Sequence, residues 1–297
     1  MAVLTSARAE GVTLYRSGKV RDTFDLGDGT LLMVATDRIS AFDVVLPTPI
    51  PEKGILLTQM SRWWFDRTRG LVPNHLRDDD PATLPPAVDW DAWRLRSMRV
   101  ARGERIDIEC VVRGYLAGSG WKEYRESGTL AGEPLPGAMR NSSRLAEPRF
   151  TPAIKSDEGH DENISRARLA DIVGAELAGR LEAVSMRLYG FAETECLGRG
   201  IILADTKFEF GLVDGDLTLI DEVFTPDSSR FWDVATYVEG ADQPSFDKQF
   251  VRDYLDSLDW DKRPPGPELP DDVVEGTRQR YREAARRICG IDAAGLR

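Results

Sequence analysis

Histidine is almost absent. The 297 residues contain two, His75 and His160, too few for histidine-rich metal sites or most Ser-His-Asp arrangements. Cysteine is nearly as scarce: Cys110, Cys196 and Cys289 lie far apart and form no CxxC pair, so neither a disulfide framework nor a zinc site is indicated. Reduced cytoplasmic thiols are the simplest expectation. No apolar run approaches the roughly 18 residues of a membrane span, and the first residues, MAVLTSARAE, hold no apolar stretch of signal-peptide length. Positive charge is also short. A formal charge of -11 and a pI near 4.9 oppose a general nucleic-acid binder, which needs a dense cationic surface. The pattern GxxxxGK[ST] occurs nowhere, which excludes a Walker A loop. The expectation is a soluble, cytoplasmic protein without nucleic-acid or membrane partners, a monomer or small homo-oligomer, that holds any anionic substrate with a local cluster of cations.

At 41% hydrophobic residues, the chain can build a proper core, as one large domain or as two smaller ones sharing a cleft. LYRSGKVRDTFDLGDGTLLMVATD alternates apolar and polar residues around the turn signal Gly27-Asp28-Gly29, which predicts an antiparallel meander. Leu56, Met60, Trp63 and Trp64 at helical spacing predict a core-facing helix. Residues 70–90, rich in Pro and Asp, read as a surface loop. Strands follow in RLRSMRVA and IDIECVVRGYLA, with the passage between lobes between Arg102 and Glu109. Ser165 is placed to cap a helical stretch through Leu197, broken near Gly174, and helices return over 244–258 and 271–289.

LADTKFEFG, residues 203–211, carries its charges on one face. In a strand Asp205, Lys207 and Glu209 point one way, and Phe208 and Phe210 the other. A hairpin turn at Asp214-Gly215 leads into a second strand. If its loop spans three residues, Asp214 to Asp216, Glu209 faces Asp221, and two opposed carboxylates call for a cation, with Mg²⁺ favoured by oxygen-only ligands. A two-residue loop puts the pair on opposite faces.

Five other clusters carry polar chemistry. SGKVRD sets Gly18, Lys19 and Arg21 in a hairpin turn where backbone and charge suit a phosphate. TDRISAFD masses Asp37, Arg38, Ser40 and Asp43 after an apolar strand. ECVVRGYLAGSGWKEY delivers Arg113, then Ser119 at a helix start suited to an anion, unless Arg113 pairs with a structural carboxylate such as Glu109. KSDEGHDENIS gathers Lys155, Asp157, Glu158, His160, Asp161 and Asn163, without EF-hand spacing. FTPDSSRFWD closes the later hairpin with Asp227, Ser228, Ser229 and Arg230.

Taken in order over residues 18–255, GKVRD, TDRISAFD, IPEKGILLT, ECVVRGYLAGSGWKEY, FTPAIK, GHDENIS, IILADTKFEFG, DEVFTPDSSRFW and SFDKQFVRDYL closely resemble the SAICAR synthetase family. The resemblance implies an ATP- and Mg²⁺-dependent ligase of de novo purine biosynthesis that joins L-aspartate to carboxyaminoimidazole ribonucleotide through an acyl phosphate. It also implies an α+β fold in two lobes, a small antiparallel β-rich N-terminal lobe (1–108) and a larger α/β C-terminal lobe (109–297), with ATP between them as in protein kinases. Carried over by position, Gly18, Lys19 and Arg21 cover the ATP phosphates and the strand from Arg105 to Glu109 edges the adenine. Glu209 and Asp221 hold the metal, Arg113, Ser119 and Arg230 contact the ribonucleotide, and the loops of Arg38, Ser40 and Lys155 contribute to substrate binding. Lys19, Lys207 and Asp205 take catalytic roles, Asp205 as candidate base. Ile154 and Asp107 depart from the residues usual at those positions. A small-molecule kinase or a nucleotide-binding regulatory protein would share the cleft without depending on aspartate.

Overall fold

The computed structural model describes residues 2–78, 83–154, 162–293 and 295–296. The chain opens with the expected meander, β1 (Thr13–Ser17), β2 (Arg21–Asp25) and β3 (Thr30–Ala35), then a small hairpin, β4 (Ser40–Ala41) and β5 (Val44–Val45). Helix α1 (Lys53–Thr68) buries Leu56, Met60 and Trp64 at i, i+4 and i+8, as the spacing predicts. After the short α2 (Trp90–Trp93), β6 (Ser97–Ala101) returns alongside β3 and completes a four-stranded antiparallel sheet, β1-β2-β3-β6.

Arg102 and Gly103 carry the chain from the first sheet into β7 (Glu104–Tyr115). A side chain at residue 103 would meet Val213 Cγ2 at 2.7 Å and the Leu212 carbonyl oxygen at 2.8 Å, which explains glycine at this crossing. Helix α3 (Gly118–Ser127), the hairpin β8 (Thr129–Leu130) and β9 (Glu133–Pro134), then β10 (Arg144–Phe150), β11 (Ala153–Ile154) and β12 (Glu162–Asn163) follow. Ser165 accepts from the Arg168 N–H and caps α4 (Arg166–Val173), and Gly174, at φ 84°, separates it from α5 (Ala175–Leu197). The long β13 (Ile201–Val213), β14 (Asp216–Ile220) and β15 (Ser229–Asp233) complete a seven-stranded sheet in the order β12-β11-β7-β13-β14, with β10 on β7 and β15 on β13. The phenylalanines of β13 and the apolar face of α5 form its main core.

Helix α6 (Gln249–Asp256) begins five residues later than the pattern from 244 suggested, because Ser245 pairs with Trp232 and Asp247 accepts from the Gln249 N–H at 2.6 Å. Helix α7 (Asp271–Ala284) continues into a π-turn, Ala285–Cys289. Residues 72–77, expected on the surface, are instead a connector between the sheets. Leu219 donates to the Pro73 carbonyl at 2.9 Å, Ala101 donates to that of His75 at 2.7 Å, and His75 is 3% exposed.

Glu52, at the start of α1, accepts paired hydrogen bonds from Arg278 and Arg282 of α7 at 2.6–3.1 Å. Burial alone would raise its pKa, but the hydrogen bonds from Arg282 and Arg278 bring it down to about 2. A depressed carboxyl stabilises the fold above its ordinary value near 4.5 and loses that contribution as pH falls toward 2, a loss of roughly 3 kcal/mol. The stability gap between the unsubstituted protein and Glu52→Gln, measured by urea unfolding, should therefore shrink between pH 6 and pH 3. A gap that does not change with pH would contradict this.

Candidate active site

The two sheets face each other across a cleft of about 900 Å³. Strand β13 forms its floor. Asp205, Lys207 and Glu209 all line the cleft while Phe208 and Phe210 are fully buried behind it, as strand alternation predicts.

Their neighbours differ from those expected. The β13–β14 loop has two residues, Asp214 at φ 53° and Gly215 at φ 85°, and Val213 pairs with Asp216, so Glu209 sits opposite Ile220 and not Asp221. Asp221 lies one residue beyond β14 with φ 68°, and this left-handed turn returns its carboxylate to the cleft, where Arg21 donates to it at 2.5 Å. The carboxylate directly opposite Glu209 is Glu109 of β7. Lys207 relieves their repulsion, donating to Glu109 at 2.6 Å and to Glu209 at 3.2 Å. Burial opposes a charge on Lys207, yet Glu209 and Glu109 raise its pKa and hold it as ammonium. Burial raises the pKa of Asp221, the Arg21 guanidinium opposes that rise, and the charges of Glu209 and Glu222 add to it.

A second row crosses three strands. Arg113 of β7 and Arg230 of β15 both pair with Asp205, and both donate to its Oδ2, at 2.9 and 2.5 Å. Arg113 therefore does not pair with Glu109. Its remaining nitrogens reach Ser119 Oγ at 2.9 Å and Thr151 Oγ1 at 3.1 Å, so Ser119, exposed in the first turn of α3, is joined to the row.

The glycine-lysine loop closes the β1–β2 hairpin above this floor, with the Gly18 N–H donating to the Arg21 carbonyl at 2.7 Å. The Lys19 ammonium pairs with Asp43 at 2.5 Å, both side chains being largely exposed. Ser40 also lines the cleft, as do Arg105 and Asp107. Arg38 does not line it: its guanidinium donates to the Gly18, Lys19 and Thr5 carbonyls and to Asp22 at 2.5–3.2 Å, which holds the loop from behind. Lys155 and His160 lie outside the described residues.

Sequence reasoning missed several cleft residues, His75, Asp247, Lys248 and Arg252 among them. His75 is fully enclosed, its imidazole hydrogen-bonded to the Asp221 backbone and its pKa pushed down to about 3 by burial and the nearby Arg21 charge. Asp247, Lys248 and Arg252 reach the cleft from the start of α6. They stand within SFDKQFVRDYL, a stretch that raised the resemblance without suggesting a role.

The family model described as SAICAR synthetase matches residues 14–267. The chain belongs to the SAICAR synthetase family. It is similar to the phosphoribosylaminoimidazole-succinocarboxamide synthase of Methylobacillus flagellatus, 50% identical over 291 residues covering 97% of this chain and 98% of the relative. That of Syntrophotalea carbinolica is 53% identical over 283 residues, 94% and 95% of the two chains. Among solved structures, SAICAR-synthase from Saccharomyces cerevisiae complexed with SAICAR matches with a TM-score of 0.88 at 42% identity, over 97% of this chain and 99% of that one. A SAICAR synthetase in complex with ADP matches with a TM-score of 0.69 at 25% identity, over 93% and 98%. The family's two-lobed α+β architecture is thus the one described above, and no helix among the described residues is long and apolar enough to cross a membrane.

Proposed function

We propose that the cleft joins L-aspartate to 5-amino-1-(5-phosphoribosyl)imidazole-4-carboxylate, with the residues of its floor and loop in the roles set out below. Membership of the family makes the chain an ATP-dependent carbon–nitrogen ligase of de novo purine biosynthesis, giving SAICAR, ADP and phosphate. The observation that carries the residue assignment is the row Asp205, Lys207 and Glu209 on β13, which with Arg113 of β7 and Arg230 of β15 brings two carboxylates, an ammonium and two guanidiniums together in the cleft.

A carboxylate is a poor electrophile, so the ribonucleotide's carboxylate must first gain a leaving group. Its attack on the γ-phosphorus breaks the bond to ADP and forms an acyl phosphate. The amine of aspartate then displaces phosphate and forms the amide. Phosphoryl transfer depends on positioning and on neutralising charge. Lys19 and the Gly18–Arg21 loop are placed to cover the phosphates, since the pair between Lys19 and exposed Asp43 is weak enough to exchange for phosphate. Lys207 is held charged where phosphate and acceptor would meet. The adenine lies along Arg105 to Glu109, where the lobes 1–108 and 109–297 join. Ser119, Arg113 and Arg230 contact the ribonucleotide, with Asp205 orienting both arginines. Because Asp205 Oδ2 accepts from both guanidiniums, we assign Asp205 this orienting role in place of that of the base.

The acidic residues also fit a divalent cation. Glu109, Glu209, Asp221 and Glu222 crowd one end of the cleft, and the raised pKa of Asp221 is what carboxylates short of positive charge produce. Among the described residues no three or more His, Cys, Asp or Glu side chains gather to enclose a metal. That suits Mg²⁺, which takes one or two carboxylates and completes its shell with water and phosphate oxygens. Glu209 and Asp221 would hold it, and Arg21 would yield Asp221. When bound, Mg²⁺ supplies charge neutralisation at the β- and γ-phosphates.

ADP release with Mg-ATP and the ribonucleotide should require L-aspartate and yield a succinocarboxamide. ADP formed equally well without aspartate would indicate a kinase or an uncoupled ATPase, and its absence under both conditions would remove the ligase reading.

A further inference from the structure

A guanidinium has five N–H donors in a fixed fork, and behind the Gly18–Arg21 loop Arg38 uses all of them. Its Nε donates to the Lys19 carbonyl at 3.0 Å. Nη1 donates to the Thr5 carbonyl at 2.5 Å and to Asp22 Oδ2 at 3.2 Å, and Nη2 to the Gly18 carbonyl at 2.9 Å and to Asp22 Oδ1 at 3.0 Å. Asp22, itself buried, is filled in the same way. The Ala7 N–H donates to its Oδ2 at 2.9 Å and the Ser17 hydroxyl to its Oδ1 at 2.7 Å. Burial would raise the Asp22 pKa, but the hydrogen bonds from Arg38, Ala7 and Ser17 hold it below the usual carboxylate range. The neighbouring residue fixes this anchor to the body of the protein. Asp37 accepts from the Leu4 N–H at 2.8 Å and from the Gly54 N–H, in the first turn of α1, at 3.0 Å, while its own N–H donates to the Leu4 carbonyl at 2.7 Å.

The latch decides which way the loop's backbone faces. In a trans peptide the carbonyl and the following N–H point in opposite directions, and both peptides after Gly18 and Lys19 are trans. With these two carbonyls drawn back onto Arg38, the Lys19 and Val20 N–H groups turn to the other side of the loop. That is the side on which Gly18, Lys19 and Val20 line the cleft, whereas Arg38 and Asp22 do not line it. Among the described residues neither N–H donates to a protein acceptor. Two successive amides turned to one side form a concavity for an anion.

We propose that Arg38 is a positioning residue for ATP, one that never touches the nucleotide and fixes the phosphate loop from the side away from the cleft. The inference rests on the assignment of this loop to the ATP phosphates. The shape of the guanidinium, and not its charge, sets the loop: a lysine ammonium has three donors and no planar fork, so it cannot hold Asp22 and three carbonyls together.

The test is steady-state kinetics with each of the three substrates varied in turn in Arg38→Lys, beside Lys19→Met, with a calorimetric titration of Mg-ADP and a thermal melt. In Arg38→Lys the kcat/KM for Mg-ATP should fall about a hundredfold. The KM values for aspartate and the ribonucleotide should stay within about twofold, and Mg-ADP should bind more weakly in proportion to the rise in the KM for ATP. Unaltered ATP kinetics in Arg38→Lys would show that charge suffices and would overturn the proposal. An equal rise in all three KM values would overturn it too, since a general loss of structure does not single out one substrate. Should Arg38→Lys fail to fold, judged by circular dichroism, Arg38→Gln decides by the same ratio of KM changes. An unaltered KM for ATP in Lys19→Met would remove the assignment of the loop itself. A raised KM for ATP in Lys19→Met with normal kinetics in Arg38→Lys would remove the positioning role alone.

Discussion

Glu209→Gln should lower turnover about a thousandfold and weaken Mg²⁺-nucleotide binding while the protein stays folded. The change keeps the side chain's shape and removes one negative charge from a group that includes Glu109, Asp221 and Glu222. The fold should survive because the shorter bond from Lys207 goes to Glu109, at 2.6 Å against 3.2 Å to Glu209, so the ammonium keeps its main partner. Catalysis should not survive, because an amide oxygen is a poorer Mg²⁺ ligand than a carboxylate, and Asp221 alone would have to hold the metal. Steady-state kinetics, a calorimetric titration with Mg-ADP and a thermal melt together check this. Normal kinetics in the variant would refute the metal assignment.

Lys53→Met should destabilise the fold by about 3–5 kcal/mol. The Lys53 side chain is 0% exposed, and its ammonium donates to Asp227 Oδ2 at 2.8 Å. Tyr281 donates to Oδ1 at 2.8 Å, so one carboxylate joins α1, the turn before β15, and α7. Burial would raise the pKa of Asp227, but Lys248 and Lys53 together hold it well below the ordinary carboxylate range. Without Lys53 that charge remains in a dry site with a distant ammonium and a phenol, and most of the cost is that of the stranded anion. The double variant Lys53→Met/Asp227→Leu should consequently be less destabilised than the sum of the two single changes. Urea unfolding measures all three variants. A loss below about 1 kcal/mol for Lys53→Met would show that the pair contributes little here.

IPEKG shows how far local patterns reach. Pro51 followed by Leu56, Met60 and Trp64 at helical spacing marks a core-facing helix, and the structure has one. Nothing local shows that Glu52 is bound by Arg278 and Arg282, or that Lys53 points inward to Asp227. Those partners lie 174–230 residues away in sequence. Arg38 shows the same limit. A polar cluster at a strand's end signals a cleft, but which of its members face the cleft depends on the loop packed behind it, and Arg38 turns toward the carbonyls of Gly18 and Lys19.

The residues alone determined which side chains share a face. A strand has period two, so Asp205, Lys207 and Glu209 had to stand together opposite Phe208 and Phe210 wherever β13 was placed. They also determined the family, because nine motifs in order leave little room for coincidence. Tertiary structure decided who faces whom. Pairing register depends on loop length and on strands distant in sequence, so Glu109 became the carboxylate opposite Glu209, while Asp221 reached the same cleft only through a left-handed residue past the end of β14. It also decided that Lys248 and Arg252, at the start of a helix nearly forty residues after β13, would line the same cleft. Alternation specifies a face, and only the packing of elements against one another supplies the neighbours that give each charge its work.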